Sequence, residues 1–146
     1  MTFERFVRPS NVFLCFFGVV LFAIAVTARQ RATPVYDPAT VVTVSGTVET
    51  VEQHQCSLGW EGYPARASWL GTHVMLRTDY GVLDAHLGPS LFLKQHDLIP
   101  LKGDELEVTG SKFAGDLPVI LIAKELKKGR RLLELRDRTG QPLWQD

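Results

Sequence analysis

After residue 40 the chain alternates between hydrophobic and polar residues in short runs. These runs are separated by glycine and proline, and the first, which starts at Val41, is rich in β-branched residues. Such runs are typical of strands that bury one face. Gly46 fits a bulge or sharp bend, which a long first strand shared between two sides of a barrel requires. The pattern predicts six strands, at residues 41–51, 72–78, 81–87, 104–110, 118–126 and 131–136.

Between the third and fourth predicted strands, residues 89–98 favour a short helix. Pro89 suits the first turn of a helix, and Leu91, Phe92 and Leu98 can form one apolar stripe. Three strands, a helix and then further strands follow one another in the order of the OB barrel. We therefore predict an all-β fold, a five- to six-stranded OB-type barrel with one short helix between strands 3 and 4.

The N-terminal part has a different pattern. Residues 12–28 form a hydrophobic run without a charge, flanked by arginines on both sides. Its length suits a helix that anchors the chain in a membrane, or a cleavable signal peptide. The expected organisation is a signal anchor or signal peptide at 1–28, an extended, proline-containing linker at 29–40 and the barrel domain at 41–146. We expect a single-pass inner-membrane protein with its domain in the periplasm, or a periplasmic protein released by cleavage.

Charge and composition narrow the class of function. The chain has 16 Lys and Arg against 16 Asp and Glu, so it lacks the basic excess typical of nucleic-acid binding. Cys15 lies in the hydrophobic run and Cys56 in the body, so the two are not expected to pair. The sequence contains no nucleophile beside a base and no phosphate-cradling glycine loop. These observations favour a binding protein over an enzyme.

Several motifs resemble small exported bacterial OB-fold proteins of the BOF-like type. They are HLGP at 86–89, KGD at 102–104 and the glycine- and leucine-containing end at 128–142. The resemblance implies a periplasmic, non-catalytic binding domain. The chain is also similar in plan to the membrane-tethered haem chaperone of cytochrome c maturation, which has one anchor followed by a periplasmic OB barrel. The haem-attaching His-x-x-x-Tyr motif of that family is absent, since no histidine follows His96.

The hairpin between the second and third strands allows a sharper prediction. A two-residue loop at 79–80 pairs Leu76 with Leu83 and keeps the apolar residues of both strands on the inner face. A three-residue loop would place polar partners there. In the favoured register His73 lies directly opposite His86 on the outer face, with Cβ atoms about 5 Å apart. Two imidazoles at that distance can share a metal ion, although an exposed and unrelated pair is the simpler interpretation.

The long connection at 53–71 supplies the other candidates. OB barrels bind ligands on the strand 2–3 face and with the loops joining strands 1–2 and 4–5. The residues expected to contact a ligand or partner there are Trp60, Tyr63, Trp69, His73, His86 and Phe113. The candidate metal ligands are His73, His86, His54 and Cys56.

Three functions are compatible with these features. The first is a membrane-anchored extracytoplasmic domain that binds a small ligand or a periplasmic or membrane protein. The second is the binding or chaperoning of a transition metal or haem through His73 and His86. The third is nucleic-acid binding, which the neutral charge makes the weakest of the three.

Overall fold

The structure, a computed structural model, describes residues 34–56, 69–113, 115 and 118–144. All six predicted strands and the predicted helix are present within them. A short 3-10 helix, Pro38–Thr40, precedes the first strand. The elements are β1 (Val41–Cys56), β2 (Trp69–Thr78), β3 (Gly81–Pro89), α1 (Ser90–Gln95), β4 (Glu105–Phe113), β5 (Val119–Lys128) and β6 (Arg131–Glu134). The predicted N-terminal helix lies outside the described residues. Among those residues, no helix has the length and apolar character needed to cross a membrane.

The strands form one sheet that closes on itself. Their order is β3-β2-β1-β4-β5-β6, and a parallel pairing of β3 with β5 completes a closed five-stranded barrel. The first half of β5 pairs with β3 and the second half with β6, so β6 extends the sheet beyond the closed barrel. The predicted all-β barrel, with its helix between β3 and β4, is confirmed.

The first strand is shared between two sides of the barrel, as predicted. Its beginning pairs with β4 and its end with β2. The expected bulge is displaced, however, because the register shift against β2 lies between Val48 and Thr50. Gly46 is needed for another reason: a Cβ at this position would collide with the backbone carbonyl of Arg77. Glycine therefore permits a close approach of two strands rather than forming the bulge itself.

The core fills the barrel interior and extends under α1. It is made of aliphatic residues from all six strands, the helix and the segments that follow α1 and β6: Val48, Val74, Leu76, Ala85, Leu87, Leu93, Leu98, Leu106, Val108, Leu121, Ala123, Leu126, Leu133 and Leu135. The predicted stripe on α1 was partly wrong, because Leu91 is exposed and Leu93 is buried in its place. A six-residue helix completes fewer than two turns, so only a narrow face reaches the core.

The β2–β3 hairpin has the predicted register. Leu76 pairs with Leu83, and a two-residue loop separates the strands. Gly81, directly after the loop, adopts the positive φ that the turn requires, 117°. Tyr80 therefore does not need a left-handed conformation. Inward-facing aliphatic residues then alternate with outward-facing residues along both strands.

Candidate metal centre

The paired strands β2 and β3 bring three potential metal ligands together. His73 lies on β2 directly opposite His86 on β3, which confirms the predicted pairing. Asp84 precedes His86 by two residues, and a strand places residues at that spacing on the same face. A register shift between Thr72 and His73 lies beside the cluster. The hairpin therefore presents two imidazoles and one carboxylate on the face that points away from the barrel core.

The Asp84 carboxylate contacts both imidazoles. His86 Nε2 is 3.0 Å from Asp84 Oδ2, and His73 Nδ1 is 3.4 Å from Asp84 Oδ1. The centroids of the two imidazole rings are 4.0 Å apart. One donor atom from each residue can be chosen so that all three lie within 4.8 Å of one another. Within the described residues, no other group of three or more His, Cys, Asp or Glu side chains converges in this way.

The cluster is more buried than the sequence suggested. An exposed outer-face pair was expected, but the His86 side chain is only 2% exposed, against 12% for His73 and 21% for Asp84. His86 also pairs with the fully buried Ile122 of β5, where the barrel closes. The expectation of exposure was therefore wrong for His86. A polar side chain buried this deeply needs polar or metal partners to offset its desolvation.

Burial and hydrogen bonding set the protonation states of the cluster. Burial alone would raise the pKa of the Asp84 carboxyl, but hydrogen bonds from His73 and His86 outweigh it. The net pKa of Asp84 lies well below the ordinary 3.8. Burial lowers the pKa of His86, and the neighbouring Asp84 only partly opposes this effect. The site thus favours an ionised carboxylate and a neutral imidazole, which are the forms that bind metal ions.

The donor set matches a recurrent type of metal centre. Two imidazoles and one carboxylate bind Zn²⁺ in catalytic sites and Fe²⁺ in facial triads, with open positions for water or another ligand. Metal–ligand bonds of about 2.0–2.2 Å require the donor atoms to lie closer together than 4.8 Å. Metal binding at this cluster would therefore require the three side chains to draw closer together than they lie here.

The sequence prediction did not include Asp84 among the candidate ligands. Its proximity to His86 was visible as an Asp-x-His spacing in a predicted strand, since a strand turns both side chains to the same face. The two other predicted ligands differ in position. His54 lies beside the cluster, with its ring centroid 4.9 Å from that of His73. Cys56 is the last residue of β1, and the position of its side chain is outside the description.

Within the described part of the chain, none of the aromatic residues predicted to contact a ligand is seen next to His73, Asp84 and His86. Trp60 and Tyr63 lie outside these residues, and Trp69 is described only as the first residue of β2. Phe113 ends β4 and is partly buried. It pairs with Ile120 of β5, which in turn pairs with Asp84. Phe113 is therefore two strands away from the metal candidates, on the scale of about 10 Å.

Comparison with known protein families finds one family whose model matches the barrel. A model of the MamS/MamX magnetosome protein family matches residues 40–133. The chain belongs to this family. No curated protein and no solved structure shows significant similarity to the chain. The match includes all six strands up to Leu133, so the histidine cluster lies inside the MamS/MamX domain.

The geometry of the MamS/MamX domain also bears on haem. A haem held by two histidines lies between their rings, with each nitrogen bound to the iron from an opposite face. The His73 and His86 rings, with centroids 4.0 Å apart, leave no space for a porphyrin between them. This arrangement suits one small ion shared by both rings.

Proposed function

We propose that this MamS/MamX domain binds a divalent transition-metal ion through His73, Asp84 and His86. The observation that carries the proposal is the convergence of two imidazoles on one largely buried carboxylate across a pair of strands. The strands fix the separation of the ligands before an ion arrives, which reduces the entropic cost of binding. The domain is proposed to be a binding protein, with no catalytic step assigned to the cluster.

The ligand types define the class of ion. Imidazole nitrogen suits Zn²⁺, Fe²⁺, Co²⁺, Ni²⁺ and Cu²⁺, whereas Ca²⁺ and Mg²⁺ prefer oxygen ligands. One carboxylate neutralises half of the charge of a divalent ion, and neutral imidazoles add none. We therefore expect the ion to keep one or more exchangeable positions for water or for a ligand supplied by a partner.

The setting of the site is part of the proposal. We infer that the barrel is of the OB type, because the helix lies between β3 and β4 and because β3 closes against β5 in parallel. We also propose that the hydrophobic run at residues 12–28 anchors the domain on the extracytoplasmic side of a membrane. The metal centre then lies on the strand 2–3 face that such barrels use for ligands.

Calorimetric titration of the detergent-solubilised full chain with Zn²⁺ tests the metal site. We expect one ion per chain in the wild type, and a Kd raised at least about 100-fold in His86→Ala and in His73→Ala. His96→Ala is the matched control, because His96 is an exposed histidine at the end of α1, and its Kd should equal that of the wild type. Circular dichroism establishes that each variant is folded. A wild-type Kd weaker than about 100 μM, or equal affinity in all four proteins, overturns the proposal.

A further inference from the structure

Glu52 and His54 form a second group of metal-ligand side chains next to the cluster. Both lie near the end of β1, two residues apart and on the same face of the strand. Glu52 pairs directly with His73 in the β1–β2 register. His54 Nε2 lies 2.9 Å from Glu52 Oε2, and the His54 ring contacts the His73 ring edge-on. The outer face thus carries a continuous row of imidazoles and carboxylates across three strands.

The exposure of the three imidazoles falls along this row, while Asp84 at its inner end keeps 21% of its side chain exposed. The side chains of His54 and Glu52 are 56% and 53% exposed, whereas His73 is mostly buried and His86 almost completely buried. His73 lies between the exposed and buried ends, since its ring touches those of both His54 and His86. An ion that reaches His86 from solvent has to shed water in a poorly accessible place. Ligands arranged in steps from solvent to the interior replace that water gradually.

We propose that Glu52 and His54 form an outer loading position, from which a divalent transition-metal ion passes by way of His73 to Asp84 and His86. This inference rests on the proposed metal site. At each step one metal–ligand bond forms before another breaks, and water fills the remaining positions. The ion stays divalent throughout, so no oxidant or reductant is involved. His73 is the ligand common to both positions.

The inner site consists of His73, Asp84 and His86. The proposed loading role of His54 differs from the role of a ligand in that site. His54 is not among the three residues whose donor atoms lie within 4.8 Å of one another, and its ring is hydrogen-bonded to Glu52 instead. A residue used only in transit lowers the barrier equally in both directions. Its removal therefore slows association and dissociation by the same factor and leaves the equilibrium Kd unchanged.

Stopped-flow absorbance with Co²⁺ tests the loading position, because the visible bands of Co²⁺ report nitrogen and oxygen coordination at the inner site. The full chain is compared with His54→Ala, Glu52→Gln and the double variant. The matched controls are His96→Ala and Glu107→Gln, an exposed carboxylate on β4. We expect both rate constants to fall by about tenfold in the double variant, with Kd within about twofold of the wild type.

Three results would overturn the loading role. Unchanged rates would show that Glu52 and His54 take no part. A higher Kd with an unchanged association rate would make His54 an inner ligand. A slower association of Co²⁺ with an equal rise in Kd would show that Glu52 and His54 only attract the ion electrostatically. Added salt would then screen this attraction. A wild-type chain that binds no Co²⁺ at all overturns the proposed function itself, which separates that failure from the other three.

Discussion

Asp84 is the residue on which the two imidazoles of the cluster converge. Each of its carboxylate oxygens faces a different ring, and its low pKa keeps it ionised at neutral pH. Asp84→Asn preserves the size of the side chain but removes the charge and replaces one accepting oxygen with a donating NH2 group. We expect this change to raise the Kd for Zn²⁺ by about 10–100-fold, as measured by calorimetric titration. Asp79→Asn, in the exposed hairpin turn, should leave the affinity unchanged. Equal affinities in the two variants would contradict the ligand role of Asp84.

Asp104 illustrates how one carboxyl couples stability to pH. Partial burial would raise its pKa, but the Lys128 ammonium and the Leu101 backbone N–H outweigh this and hold the pKa below the ordinary 3.8. Because the folded-state pKa is lowered, the stabilisation is present above the unfolded-state pKa and is lost as pH falls through the folded-state value.

The variant Asp104→Ala tests this pH dependence. We expect it to lower the free energy of unfolding by about 1–2 kcal/mol at pH 7, with the difference from the wild type shrinking below about pH 4. Urea unfolding monitored by circular dichroism at a series of pH values measures this difference. A difference that stays constant from pH 7 to pH 3 would exclude the charge as its cause.

At the scale of elements, β1 depends on its close approach to β2 at Gly46. A methyl group there would meet the Arg77 carbonyl, which is backbone and cannot move aside cheaply. We expect Gly46→Ala to lower the free energy of unfolding by at least about 2 kcal/mol in urea unfolding. Gly129→Asn is the control, since Gly129 has a φ of 60° with open space around it and Asn tolerates that conformation. A Gly46→Ala variant as stable as the control would contradict the packing described for β1.

The alternation of residues predicted the strands and the hairpin register well, because a slip of one residue would turn Val74, Leu76 and their partners out of the core. It failed where alternation is absent. The end of β1, EQHQC at 52–56, is polar on both faces, and only pairing with β2 extends the strand there. The exposure of Leu91 and the burial of His86 likewise depend on what covers each element in three dimensions, which a local pattern does not contain.

At the scale of the whole molecule, the segment after β6 is held against the barrel by a buried arginine. Arg136 is fully buried and donates a hydrogen bond to the Gly140 carbonyl. Its guanidinium lies over the ring of Trp144, 4.9 Å from the ring centroid, and also faces the ring of Tyr36. One planar cation therefore links the residues before β1 to the C-terminal segment.

Arg136→Lys keeps the charge but loses the planar stacking and the fixed donor geometry. We expect it to lower the free energy of unfolding by about 1–3 kcal/mol, because a buried ammonium is poorly satisfied by partners arranged for a guanidinium. Chemical unfolding of this variant beside Arg138→Lys, an exposed arginine two residues away, measures the effect. Equal stability of the two variants would contradict the linking role of Arg136.

We propose, above all, that the β2–β3 hairpin of this MamS/MamX barrel holds a metal ion. Anomalous diffraction from crystals of the Co²⁺-loaded protein tests it most directly. We expect one anomalous peak per chain, about 2.0–2.2 Å from a ring nitrogen of His73, a ring nitrogen of His86 and a carboxylate oxygen of Asp84. Ordered Co²⁺ found only at other residues, with the His86–Asp84 hydrogen bond intact, would contradict it.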